Sequence, residues 1–281
     1  MVKKKIKYEH RTMEQLREHY EIEKKLASRL RNASRQERGY LYASLYDELY
    51  RRVPSHPQLT RKSSPQEKAS AVSKEIKFVK PFLGKDSKFL EVGPGDCSLA
   101  IEIAKFAKEV YVVEVSNEIS KGLVQPKNFH FIPSDGCSIK ITKNSIDVAY
   151  SCQVMEHLHP EDALEQLRNI YDALTPGGVY ICITPNRLNG PHDISQYFDT
   201  MATGFHLKEY TISELVELFK KAGFLKIRSL IYAKGMIIKS PVFPLILCEK
   251  FLSIFPHSIG KIMANMLPFR VLLEIQIVGE K

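Results

Sequence analysis

The stretch that decides the fold is Lys88-Phe89-Leu90-Glu91-Val92-Gly93-Pro94-Gly95-Asp96. A short apolar run ends on a carboxylate and passes directly into two glycines one residue apart. Helical periodicity follows, from Leu99-Ala100-Ile101 to Phe106. The next β-rich run, Val110-Tyr111-Val112-Val113, closes on a second carboxylate, Glu114. Strand, glycine turn, helix, strand, acid is the order in which a parallel α/β sheet builds a nucleoside pocket.

The residues around the turn narrow the ligand. Two glycines permit a tight turn and close approach to the backbone, and the helix start beyond them offers free N–H groups. A dinucleotide site of the Gly-x-Gly-x-x-Gly kind needs a third glycine, where this chain has Ser98. Asp96 would also repel a pyrophosphate. Glu114, 21 residues after Gly93, stands where a carboxylate accepts ribose hydroxyls. Asp135, before Gly136, can accept from an exocyclic amine such as that of adenine, and Glu91 suits a cationic group. These acids fit ribose, adenine and a positive amino-acid end.

Outward from this core the pattern alternates. Strands are expected at residues 89–92, 110–115, 129–132, 146–152 and 179–184, and helices at 98–106, 117–123 and 161–174, which is βαβ alternation. Pro176-Gly177-Gly178 reads as a breaker ahead of the fifth strand. Residues 185–210 form a polar, aromatic loop long enough to suggest function. An amphipathic helix is expected at 212–221, stopped by Gly223, and two further strands at 225–232 and 271–279.

Residues 1–62 read as helical. Ser34 and Glu37 form a capping box, followed by a Leu41/Leu45/Leu49 stripe and an adjacent Tyr42/Tyr46/Tyr50 stripe that something must cover. Ser64-Pro65-Gln66-Glu67 starts another helix. The division expected is a helical extension over 1–62 and a main domain over 63–281.

The ordered runs FLEVGPGDCSLA, VVEVS, SDG, IDVAYSCQVMEHL and LTPGGVYICITPN resemble the class I S-adenosylmethionine-dependent methyltransferases, and more narrowly their ubiquinone-biosynthesis-like "type 11" branch. The resemblance covers about residues 65–235. It implies an α/β fold with a Rossmann-like seven-stranded mixed sheet, the last two strands antiparallel, and helices on both faces. It implies S-adenosyl-L-methionine as cofactor, with Glu91, Gly93 and Gly95 at its methionine part and Glu114 with Val115 at the ribose. Asp135 and Gly136 would take the adenine, and Cys152 and Gln153 would lie near the reactive methyl. Cys97 departs from the pattern, standing where many members carry another glycine.

The acceptor is less legible. A hydroxyl acceptor needs a base, for which histidine is suited near neutral pH. His157 follows the fourth strand, His192 lies in the long loop beside Asp193, and His206 is a third candidate; Tyr197 and Phe198 could line the pocket. Gln153, where some quinone methyltransferases carry a metal-binding Glu, argues against a metal site. Residues 233–270 form an apolar insertion between the last two strands, flanked by Lys239, Lys250 and Lys261. It reads as a lid over a lipophilic acceptor, as an interfacial membrane contact, or as a homodimer surface.

Whole-chain properties bound the rest. Of 281 residues 44% are apolar and 26% charged, as expected of a globular protein with one sizeable core. Five cysteines without ligand-like spacing suggest free thiols in a reducing compartment. The basic N-terminus has no apolar core of a secretory signal, so a cytoplasmic protein is expected, with membrane contact at most peripheral. Residues 1–85 hold 21 of the 41 Lys and Arg and 10 of the 32 Asp and Glu. That basic arm raises RNA or protein methylation as an alternative. Nucleic acid is disfavoured because no RNA-binding module is recognisable and Ser151-Cys152-Gln153-Val154 stands in place of an Asn-Pro-Pro-Tyr-like motif. A non-catalytic cofactor-binding scaffold is the alternative of another kind. The leading expectation is methylation of a small lipophilic or hydroxylated acceptor, at oxygen.

Overall fold

The computed structural model describes residues 11–60, 64–116, 125–233 and 235–281. Five strands follow the chain in parallel: β1 (Lys88–Val92), β2 (Glu109–Glu114), β3 (Phe129–Pro133), β4 (Ile146–Cys152) and β5 (Leu174–Thr184). Three more complete the sheet: β6 (Lys226–Ala233), β7 (Met236–Pro241) and β8 (Ile275–Glu280). The order is β3-β2-β1-β4-β5-β8-β6-β7. Strand β8 runs antiparallel to both β5 and β6. The order reverses at β1, where open α/β sheets place their ligand crevice.

The sheet has eight strands where seven were expected. The extra one, β7, forms an edge hairpin with β6, pairing Ala233 with Met236. Gly235, at φ +82°, sits in the turn, and Ile237-Ile238 favours extended backbone. The insertion is therefore strand first and helical afterwards. The final strand also starts later than expected, at Ile275, because Phe269–Leu272 forms a helical turn. The Pro176-Gly177-Gly178 breaker lies inside β5; pairing shifts register between Ile146 and Val148, and Gly177 and Gly178 bond to Lys281 of the C-terminal end instead. The helix expected at 117–123 lies outside the described residues.

Alternation along the strands feeds two cores. Leu90, Val113, Ala149 and Cys182 face one side of the sheet. Phe89, Val112, Val148 and Ile181 face the other. The second face is covered by α4 (Pro65–Val79) and α5 (Ser98–Ile103). The first is covered by α1 (Met13–Asn32), α2 (Arg35–Arg52), α6 (Pro160–Ala173) and α7 (Ile212–Ala222); α3 (Pro57–Thr60) is a single turn. The insertion ends in α8 (Phe243–Ser253), α9 (His257–Ala264) and α10 (Phe269–Leu272).

The helix ends follow sequence chemistry. Both hydrogen bonds of the capping box form at Ser34/Glu37 and at Ser64/Glu67, and Thr12/Gln15 and Thr211/Glu214 make the same motif. Each cap stabilises its helix by about 1 kcal/mol. Gly223, at φ +117°, stops α7. The Leu45/Leu49 side of α2 enters the core beneath it. Arg38, almost fully buried, holds α2 to α6 with two bonds to Asp162, from Nε at 2.7 Å and from Nη2 at 2.6 Å. Removing one partner of such a pair costs about 3–5 kcal/mol.

Candidate active site

Three adjoining cavities open at the carboxyl ends of β1, β2 and β4. The largest, about 780 Å³, runs along Gly93, Gly95, Glu114, Val115, Gly136 and Gln153, beneath Tyr42 and Tyr46 of α2. Gly93, Gly95, Asp96 and Gln153 also border a smaller pocket that holds Glu75, Glu91 and Cys152. On the other side, Tyr46, Gln58 and His157 are shared with a third cavity of about 380 Å³.

The backbone shapes the first two. Gly93 sits at φ +66°, and a Cβ there would meet Val154 Cγ2 at 2.5 Å, so only glycine fits. Gly95, at φ +56°, has nothing within 4 Å of its Cβ position, which leaves room for a ligand against the backbone. Cys97 also has a left-handed backbone, φ 59°, which accounts for the glycine expected at this position. Asp96 is neutralised by Lys68 Nζ at 2.9 Å and caps Ser98 N.

Charge marks the two ends of the cleft. Glu91 is buried and its Oε2 has no hydrogen-bond partner. Desolvation, then the nearby Glu75, pushes its pKa well up. Glu75 is raised too, chiefly by burial. Two acids raised in this way, Glu91 buried and Glu75 half-buried, favour an incoming cation. Glu114 Oε1 accepts from Val115 N at 2.7 Å and Ser116 N at 3.2 Å, which fixes the carboxylate at the rim of the cleft. Burial raises its pKa as well.

At the third corner Asp135 is engaged by groups of the protein itself. Its Oδ1 accepts from Cys137 N and Ser138 N, and its Oδ2 from Arg35 Nη2 at 2.9 Å. It does not line the cleft. Gly136 does, under the Tyr42 ring, which a Cβ would strike at 2.6 Å. Beside it stands Gln166, unforeseen from the sequence. Its Nε2 donates to Gly136 O at 2.7 Å, and its buried Oε1 has no partner.

The third cavity gathers five of the nine histidines: His19, His56, His157, His192 and His206, with Arg11, Glu23, Asp193 and Tyr197. His157 alone among them also borders the largest cleft. Its Nδ1 lies 3.1 Å from Phe205 O and 2.9 Å from Tyr46 Oη. A proton on Nδ1, donated to the carbonyl, leaves Nε2 as the free base. Burial holds its pKa below the ordinary value, so it is neutral at pH 7. His192 Nε2 is engaged by Asn186 O and Asn189 Oδ1. His206 Nδ1 meets Glu209 Oε1 at 2.7 Å; burial opposes its charge, but Glu209 and the acids Glu156 and Asp193 outweigh this and raise its pKa.

His19, Glu23 and His56 bring ligand atoms within 4.8 Å of one another. Arg11 donates to His19 Nδ1 and Gln58 N to His56 Nδ1, so each ring accepts at Nδ1 and carries its proton on Nε2. His19 spends that proton on Glu23 Oε2 at 2.7 Å. This trio therefore acts as a hydrogen-bonding wall. Among the described residues the insertion lines none of the three cavities.

A glycine cradle open to a ligand, a buried acid with one unpartnered oxygen at one end and a carboxylate at the rim fit S-adenosylmethionine, and with the sheet order they define the class I methyltransferases. A family model described as a methyltransferase domain matches residues 66–229, and the chain belongs to that family. A probable S-adenosylmethionine-dependent methyltransferase of Mycolicibacterium smegmatis is 39% identical over 80 residues, which is 28% of this chain and only 29% of that protein. Two solved structures are similar at a TM-score of 0.50. A SAM-dependent methyltransferase from Thermotoga maritima, a possible histamine N-methyltransferase, is 16% identical over 76% of this chain and 90% of its own. A SAM-dependent methyltransferase from Archaeoglobus fulgidus is 19% identical over 75% and 94%. At such identity the likeness is one of fold.

Proposed function

We propose that the protein methylates an oxygen of a small hydroxylated acceptor, with His157 as the base. The observation that carries this reading is His157 itself, which borders both the cofactor cleft and the histidine-lined cavity. When bound, S-adenosylmethionine supplies a methyl group on a sulfonium, already activated for in-line displacement. Glu91 and Glu75 hold its ammonium end, Glu114 its ribose, and Gly93 and Gly95 let the backbone approach. His157 Nε2 takes the acceptor hydroxyl proton, while Nδ1–H stays anchored on Phe205 O. Tyr46 and Phe205 pack on the imidazole side, with their ring centroids 4.6 Å apart. The walls of the acceptor cavity set histidines, Glu23 and Asp193 among apolar groups such as Leu49, Ile194 and Phe205, which suits an acceptor that carries a hydroxyl on an apolar frame.

A screen of phenols, quinols, sugars and hydroxylated lipids with labelled methyl donor finds the acceptor. On that acceptor the pH profile tests the base. A lowered His157 pKa means the basic form persists to acid pH, so kcat/KM stays level from neutrality down and falls only below 6.5. A fall centred above that value contradicts His157 in this role.

Gln166 takes the adenine amino group in place of Asp135. Gln166→Leu is expected to weaken cofactor binding by about tenfold, the worth of one buried hydrogen bond left unmade. Asp135→Asn leaves cofactor affinity unchanged and loosens only the Arg35 contact. Calorimetric titration of both variants checks this, and the reverse ranking overturns it.

A further inference from the structure

The surface of α8 and α9 carries apolar groups that the fold leaves uncovered. On α8, Phe243, Leu247 and Phe251 are exposed, with Ile254 at its C-terminal cap, at steps of four, four and three. That spacing makes one stripe. On α9, Ile259 and Ile262, with Met266 just beyond, make another, and Leu267 adjoins it. Leu252 and Ala264 of the two helices meet in one buried cluster with Leu273. Gly260 brings them close, since a Cβ there would lie 2.9 Å from Leu252 O. Both exposed stripes therefore point away from the same small core. Single exposed apolar residues are ordinary, but a group of this size marks a contact surface.

Charge selects what covers it. From Met236 to Leu272 the basic residues are Lys239, Lys250, Lys261 and Arg270, against one acid, Glu249. Glu249 is buried and accepts from Asn186 Nδ2, Ile212 N and Ser213 N. The next acid, Glu274, accepts from Gln276 Nε2. Lys239 is turned to the Phe82 ring, 4.1 Å away. Lys250 and Arg270 remain exposed beside the stripes. Two copies placed face to face would oppose like charges. An anionic lipid surface satisfies the apolar stripes and the cations together.

We propose that α8 and α9 seat the protein on an anionic bilayer, with both helices in the plane of the interface. No helix among the described residues is long and apolar enough to cross a membrane, so the contact is with one leaflet. The surface is joined to the acceptor side of the molecule. Leu188 packs into the cluster under α8 and α9, and the adjacent Asn189 holds His192 Nε2 at 2.9 Å. The proposal rests on exposure and charge, and stands whether or not His157 is the base.

The test is flotation of the full chain with vesicles of equimolar phosphatidylcholine and phosphatidylglycerol, beside vesicles of phosphatidylcholine alone. The protein is expected to float with the mixed vesicles and far less with the neutral ones. A Phe251→Glu/Ile254→Glu variant is expected to lose at least about tenfold in bound fraction, since two apolar anchors become anions. Lys250→Glu/Arg270→Glu is expected to lose about as much. All four side chains are exposed, and an unchanged melting temperature confirms the fold. Phe251→Ser/Ile254→Ser repeats the test without added charge. The proposal is overturned if the wild type stays at the bottom of the gradient, or if it binds neutral vesicles equally. A dimer in sedimentation equilibrium that the Phe251→Ser/Ile254→Ser variant dissolves overturns it in favour of self-association.

Discussion

Replacing His157 by Ala is expected to lower kcat by about 10² to 10⁴, the usual contribution of a positioned general base. The affinity for S-adenosylmethionine should not change, because the acids and glycines assigned to the cofactor lie elsewhere in the cleft. His157 is partly buried against Tyr46 and His206, with ring centroids 6.1 Å and 4.8 Å away. Alanine therefore opens a hole, and some loss of melting temperature accompanies it. His157→Gln fills most of that space and cannot take the proton, so it should show the same loss of turnover with less loss of stability. Equivalent changes at His192, whose Nε2 is committed to Asn186 and Asn189, should cost much less. Single-turnover rates of the four variants make the comparison. If His157→Gln turns over like the wild type, the base lies elsewhere.

Glu114→Ala is expected to weaken S-adenosylmethionine by roughly 10 to 100-fold. Hydrogen bonds to a charged group contribute about 1.5–3 kcal/mol each, and about 1.4 kcal/mol is tenfold in affinity. Glu114→Gln keeps an acceptor and should lose less. The effect on stability runs the other way. Burial raises the Glu114 pKa in the folded protein, so its charge opposes folding above the ordinary carboxylate value of 4.5. Glutamine removes that charge and can keep the bonds from Val115 N and Ser116 N. The Gln variant should therefore melt no lower than the wild type at neutral pH. Affinity lost while stability holds is the mark of a binding residue. An unaltered affinity would remove Glu114 from the ribose site.

The parts that could be read from the sequence are the local ones. Gly93, Gly95, Glu91 and Glu114 occupy a strand, its turn and the end of the next strand, so their spacing alone brings them together. The capping boxes are legible for the same reason, since partner and cap are three residues apart. What the sequence concealed depends on distant chain. Asp135 has the right position for adenine, but Arg35, a hundred residues earlier, ties up its carboxylate. Gln166 reaches the cleft from the middle of α6, where its neighbours suggest only an amphipathic helix. The histidine-lined cavity joins α1, residue 56, the turn after β4 and the loop at 192–206, and no local pattern links His19 to His206. Strand β7 was hidden by composition, because an apolar run followed by more apolar sequence reads as one helical insertion. Only Gly235 signals the turn.

The claim on which all of this depends is that the cleft behind Gly93 and Gly95 binds a sulfonium nucleoside. Isothermal titration of the full chain with S-adenosylmethionine tests it most directly, with NAD as the comparison ligand. The structure predicts saturable one-to-one binding of the first, weakened in Glu114→Ala, and none of the second, for which the turn lacks the third glycine of a pyrophosphate site. Absence of binding by S-adenosylmethionine, or preference for the dinucleotide, would contradict it.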